Sequence, residues 1–181
     1  VWCGMILGFD HDDYNIFDAQ VEFLTDARII HVMMGMLVAI PKTPLYARLA
    51  DEGRLDPSDP PDFGTNVIPL QMSREELSAG YVRAMQELYD PEAYFDRVDS
   101  IYLNPQFSPG DAEFSYARTR PWLRIKWYLR NAASATVLER RIMRIVEDER
   151  LRAVYRERMA NVRRIRRDPR LTFIYALKCI T

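Results

Sequence analysis

Residues 1–40 read VWCGMILGFDHDDYNIFDAQVEFLTDARIIHVMMGMLVAI: two apolar runs, with a polar turn and a stretch of helical spacing between them. The first run, Val1 to Phe9, carries Gly4 and Gly8 and gives way to Asp10-His11-Asp12-Asp13. A continuous apolar run bounded by a polar turn predicts a strand buried on both faces. Asn15 is placed to cap a helix in which Ile16, Phe17, Val21 and Leu24 recur at helical spacing. The second run, Ile29 to Ile40, stops at Pro41. Strand, helix, strand is a βαβ unit, whose two strands run parallel with a right-handed crossover. Thr43-Pro44 then opens a short helix through Ala50, closed by Gly53.

Beyond this unit the pattern changes. Residues 54–72 form a loop with Pro57, Pro60, Pro61 and Gly64, in which Thr65 to Leu70 reads as extended; a loop of this length is functional or a boundary. Ser73-Arg74-Glu75-Glu76 is a capping box that starts a helix to about Tyr89. Asp90-Pro91 restarts another to about Leu103, and residues 104–118 read as irregular. Pro121 begins a further helix. Thr136 to Glu139 is a second capping box, predicted to open a helix of about 30 residues on the spacing of Leu138, Ile142, Ile145, Leu151 and Val154. Asp168-Pro169 caps a last apolar helix.

The whole chain has 181 residues, 48% of them apolar and 28% charged. That excludes a disordered tail, a fibrous repeat and a disulfide-stapled mini-protein. Cys3 and Cys179 lie at opposite ends, so they form no metal clip and no disulfide framework, and a reducing, cytoplasmic compartment is the expectation. The longest apolar stretch is too short for the ~20 residues that span a bilayer. No basic leader precedes it, and Val1 stands where a Met would start a gene product, so the chain reads as a piece of something longer.

Charge is divided sharply: residues 1–100 carry 18 acids and 7 bases, residues 101–181 carry 8 acids and 18 bases. Arg140, Arg144, Arg152, Arg156, Arg163 and Arg167 in the basic half allow three readings. Interleaved with Glu139, Glu147, Glu149 and Glu157 they look first like a solvated helix face with i, i+4 pairs. An amphipathic helix followed by Leu171 to Leu177 could instead lie on a membrane surface. Nucleic acid, with Trp122, Trp127 and Tyr128 as stacking groups, is the weakest of the three.

Side chains alternate along a strand, which puts Gly4, Ile6 and Gly8 on one face and opens the backbone to a ligand or to tight packing. The Asp-His-Asp-Asp cluster at the carboxyl end of the first strand reads as a solvated turn or as a contact to substrate or cofactor. His11 and His31 fall at opposite strand ends, ~20–25 Å apart at ~3.3 Å per residue, so they share no metal ion. No metal site is predicted, and no nucleophile–base pair is present. Asp56, Asp59, Asp62, Asn66 and Tyr102 lie in segments that would either cover a substrate or serve as linkers.

Gly4-x-Ile6-x-Gly8 followed by acidic residues resembles the adenine-contacting strand of the radical S-adenosylmethionine barrel. Met36 to Ile40 with Pro41-Lys42-Thr43-Pro44-Leu45-Tyr46 resembles the next strand and its Pro-Gly-Thr-x-Leu-Tyr exit. Thr65 to Pro69, the helix around Gly80-Tyr81, and Tyr89 to Val98 resemble the helical domain that follows the barrel in one branch of the superfamily, whose members carry a cobalamin-binding domain before it. Three positions depart from the pattern: His11 stands at the acidic position, Lys42 at the glycine, and no Cys-x3-Cys-x2-Cys occurs.

The resemblance implies an α/β fold class: a partial parallel β/α barrel fragment at 1–55, a linker at 56–72, and a mainly α-helical accessory domain at 73–181. It implies an enzyme that uses a [4Fe–4S] cluster and S-adenosylmethionine, often with cobalamin, for radical methylation or cyclisation at an unactivated carbon. Gly4, Ile6, Gly8, Asp10, His11, Ile40 and Pro41 would contact S-adenosylmethionine. The cluster ligands and the cobalamin domain would lie upstream of Val1, and the substrate would be a small or lipid-like molecule. The alternative is a non-catalytic helical module that docks its basic half on a membrane surface, RNA or an acidic partner.

Overall fold

The structure is a computed structural model that describes residues 2–56, 64–107 and 120–180. Two compact units divide the chain, Val1–Arg97 and Val98–Thr181.

In the first unit, β1 (Trp2–Leu7), α1 (Ile16–Asp26) and β2 (His31–Met36) form the expected βαβ, with the strands parallel and Trp2 paired to His31, Gly4 to Met33 and Ile6 to Gly35. α2 (Pro44–Asp51) and α3 (Arg74–Leu88) follow, and α4 (Pro91–Tyr102) begins here. Leu7, Val32 and Met34 join Phe17, Val21 and Leu24 of α1 and Leu77, Ala84 and Leu88 of α3 in one buried core. α1 and α3 cross closely. A Cβ on Gly80 would stand 2.2 Å from the Phe17 ring, so only glycine fits there.

The strands are covered on one face only, which corrects the expectation of burial on both. Cys3, Met5 and Leu7 turn toward the helices, while Trp2, Gly4 and Ile6 are exposed. The described sheet has two strands and the rest of the chain is mostly helix.

Side chains satisfy two backbone positions along the outer margin, one in β2 and one just past its end. The Tyr89 hydroxyl accepts from Val32 N–H at 3.1 Å and donates to Val32 C=O at 2.9 Å. Asn66 repeats the exchange on Ala39, at 2.8 and 2.9 Å. Of the extended run expected at Thr65–Leu70, an antiparallel bridge between Leu55 and Val67 is present. Buried Arg97 donates to Ile29 C=O at 3.0 Å and to Leu88 C=O, tying the turn before β2 to the end of α3.

Local capping explains most of the helix boundaries. Ser73 and Glu76 form the complete capping box at α3, and Thr43 Oγ1 accepts from Tyr46 N–H at α2. Asn15 makes no capping bond; Asp13 Oδ1 instead accepts from Asn15 N–H at 2.9 Å.

The second unit contains α5 (Pro121–Ile145), α6 (Glu149–Arg166) and α7 (Pro169–Lys178). The long helix expected from Thr136 is a misreading. Thr136 sits inside α5, its hydroxyl donating to Ala132 C=O at 2.9 Å, and the break falls at 146–148. There Asp148 caps α6 by accepting from Arg150 and Leu151 N–H. α7 packs against α5 and α6. Its Tyr175 is fully buried, donates to Asp99 Oδ1 at 2.7 Å, and is pushed above the ordinary phenol range by burial and by that carboxylate, whose other oxygen meets Arg158 at 2.8 Å. Burial and Glu139 raise the Cys179 thiol to about 12.

Candidate functional site

The open face of the sheet is the candidate site. Along β1 it presents Trp2, Gly4 and Ile6, and opposite them stand His31, Met33 and Gly35 of β2. Trp2 is 72% and Met33 66% exposed, and the Trp2 and His31 rings stack at 5.1 Å. A Cβ on Gly4 or Gly35 would meet nothing within 4 Å. The two glycines therefore leave a shallow trough with bare backbone at its floor.

Of the expected contacts, Gly4 and Ile6 lie on this face. Gly8 does not. The strand ends at Leu7, and Gly8 turns at φ +97° into the core, where a Cβ would stand 2.9 Å from Leu77. The turn is built by Asp12, whose Oδ2 accepts from Gly8 N–H at 2.9 Å and Phe9 N–H at 3.0 Å. His11 is exposed on it.

Asp10 is engaged from two directions. Arg48 Nη1 donates to Oδ2 at 2.6 Å, and Arg54 Nη2 lies 2.8 Å from Oδ1. These two guanidinium groups, Arg48 first, hold the Asp10 carboxyl below the usual carboxylate range. Glu52 bridges the same two arginines at 3.3 and 2.9 Å. The cluster clamps the exit of β1 to the end of α2, which sequence reasoning missed; its one local signal is the Arg48–Glu52 spacing of four.

Ile40 and Pro41 are exposed at the carboxyl end of β2. Lys42 follows at φ +69°, so the position where the resembled family has glycine does require the left-handed region. Of the loop candidates, Asp56 pairs with Arg74, Asn66 holds the Ala39 backbone past the end of β2, and Tyr102 packs edge-on to Phe107 and Tyr175. Asp59 and Asp62 lie outside the described residues. Gly35, Met33 and Trp2 were also missed as members of the face; the period of two would have found them once β2 was paired to β1. Among the described residues no three His, Cys, Asp or Glu side chains group to hold a metal ion, and no helix is long and apolar enough to cross a membrane.

A two-stranded parallel βαβ unit followed by helices matches the coarse order, α/β then mainly α, that the sequence resemblance implied. Residues 43–144 match the family described as Domain of unknown function (DUF4070), and the chain belongs to that family. That domain is found in cobalamin-binding radical S-adenosylmethionine methyltransferases, which bears out the recognition of a carboxyl-terminal part of such a protein, and the relatives carry the names of enzymes. The uncharacterized methyltransferase sll1242 of Synechocystis sp. is 36% identical over 104 residues, 55% of this chain and 19% of that protein. Hopanoid C-2 methylase of Rhodopseudomonas palustris is 31% identical over 96 residues, 53% of this chain and 18% of its own. Bacteriochlorophyllide d C-12(1)-methyltransferase of Chlorobaculum tepidum is 27% identical over 100 residues, 55% and 22% respectively. The chain thus spans about a fifth of the length of these relatives. No solved structure matches it.

Proposed function

We propose that this chain supplies two parallel strands of a β/α barrel, and the helical region after them, to an enzyme that methylates an unactivated carbon of a small or lipid-like molecule in the cytoplasm. The observation that carries this is the one-sided sheet. Helices cover one face, and the other presents two glycines in an apolar trough, as the lumen side of a barrel strand would. The methyltransferase names of the relatives favour methylation over cyclisation.

The trough fits the adenine of S-adenosylmethionine. With no Cβ at Gly4 or Gly35, a flat ring can approach the backbone, while Ile6 and Met33 offer apolar contact at its edges. Ile40 and Pro41 sit just past the strand end, where ligands of parallel sheets collect. Asp10 acts by holding the exit of β1 in place, its carboxylate being taken up by Arg48 and Arg54. His11, exposed on the same turn, is free to reach a ligand's polar edge. The sequence holds two cysteines and no Cys-x3-Cys-x2-Cys, so in this reading the cluster and the cobalamin are held by residues outside it. S-adenosylmethionine bound to the cluster would supply the radical, and cobalamin the transferable methyl group.

The test is anaerobic reconstitution of the whole parent protein, followed by assay of iron, cobalamin and 5′-deoxyadenosine release. About four irons per chain and release of deoxyadenosine are expected. A parent protein that binds neither iron nor S-adenosylmethionine overturns the reading.

A further inference from the structure

A second open surface lies on α5, and nothing in the methyltransferase reading uses it. At 3.6 residues per turn the helix buries the stripe of Ala135 and Ile142, with Trp127, Asn131 and Leu138 half-buried along it. The opposite face is turned outward. On it Trp122 is 61%, Ile125 62% and Leu129 61% exposed, at spacings of three and four. Lys126 and Arg130 lie beside this apolar stripe, and Arg140 and Arg144 continue the face toward the carboxyl end. α5 carries six bases against one acid, Glu139, and that acid is tied to Arg163 of α6. The acidic turn at Glu147–Glu149 stands beyond the far end, past the roughly 24 Å of helix axis between Leu129 and Ile145 at a 1.5 Å rise.

We propose that the outward face of α5 is a docking surface for an anionic phospholipid membrane. Its charge and its apolar stripe ask for one partner that offers both: lipid headgroups meet Lys126, Arg130 and Arg140, while Trp122, Ile125 and Leu129 sink to the acyl boundary. A nucleic acid would complement the bases and could stack on Trp122, but it would leave Ile125 and Leu129 in water. A protein partner would have to bring an acid for every base. The surface also differs from the one suggested by sequence, since Leu171, Tyr175 and Ala176 are buried inside the second unit and have no face to give a membrane.

The experiment sediments the whole parent protein with phosphatidylcholine vesicles, with and without phosphatidylserine, at low and high ionic strength. Binding is expected only with phosphatidylserine, falling as salt screens the charges. Trp122 fluorescence should shift to the blue, and the shift should vanish in Trp122→Phe. Lys126→Ser with Arg130→Ser should weaken partitioning about 25-fold, at about fivefold per base. Ile125→Ser with Leu129→Ser should abolish the blue shift; all four side chains are exposed, so an unchanged thermal melt confirms folding. Absence of sedimentation overturns the proposal, as does equal capture by neutral vesicles. Tight binding of single-stranded RNA that Ile125→Ser with Leu129→Ser leaves intact, with no vesicle binding, would assign the face to nucleic acid instead.

Discussion

The open face of β1–β2 and the outward face of α5 expose similar amounts of large apolar side chain, and they ask for different things. On the sheet, Trp2, Ile6 and Met33 surround two glycines with no Asp, Glu, Lys or Arg in the strands. On the helix, Ile125 and Leu129 have bases one position away, and Trp122 has them two positions away. Exposed apolar area alone is common on proteins. What identifies its partner is the company it keeps: bare backbone suits a flat, uncharged ring, and a basic margin suits an anionic surface.

The sharpest way to break this comparison is to remove the cover that gives the sheet one face. Gly80→Val drives a side chain into the Phe17 ring and should cost about 3 kcal/mol, read as a loss in urea midpoint. Gly4→Val tests the other side of the same sheet. It meets nothing within 4 Å, so the melt should be unchanged, while affinity of the parent protein for S-adenosylmethionine should fall about tenfold, ~1.4 kcal/mol. A large loss of stability would show that the face is packed rather than open.

Asp10→Asn probes the clamp beneath the site and should cost about 1 kcal/mol at neutral pH. Because Asp10 titrates below its ordinary value when folded, its contribution is full above ~3.9 and disappears as pH falls through the lower folded value. Wild type and variant should therefore converge in urea midpoint as the pH falls below that lowered folded value. Lys42→Gly should stabilise by about 0.5 kcal/mol, since it relieves a left-handed lysine. Trp122→Ser should change stability least, by under about 0.5 kcal/mol, and any larger effect would mean that α5 packs its outward face against its own chain.

The βαβ unit was legible because a buried helix stripe and two apolar runs differ in period. The glycine requirement at Lys42 could be posed from the sequence, and φ +69° answers it. The one-sided exposure of β1 was hidden, because Ile6 and Met33 have the composition of a core whether or not anything covers them. The Asp10 clamp was hidden too: its arginines lie 38 and 44 residues away, beyond any periodic signal. The helix break was misplaced because Thr136–Glu139 and Asp148 offer rival caps, and the Thr136 hydroxyl is satisfied within its own helix.

The plugs on β2 have a consequence for assembly. Tyr89 and Asn66 return to Val32 and Ala39 the donor and acceptor that a neighbouring strand would bring. An unpaired strand margin is a template for pairing with another chain, and here two points along that margin are already taken. A strand arriving beside β2 would have to displace the Tyr89 hydroxyl from Val32 before it could pair there, which biases any added strand toward β1.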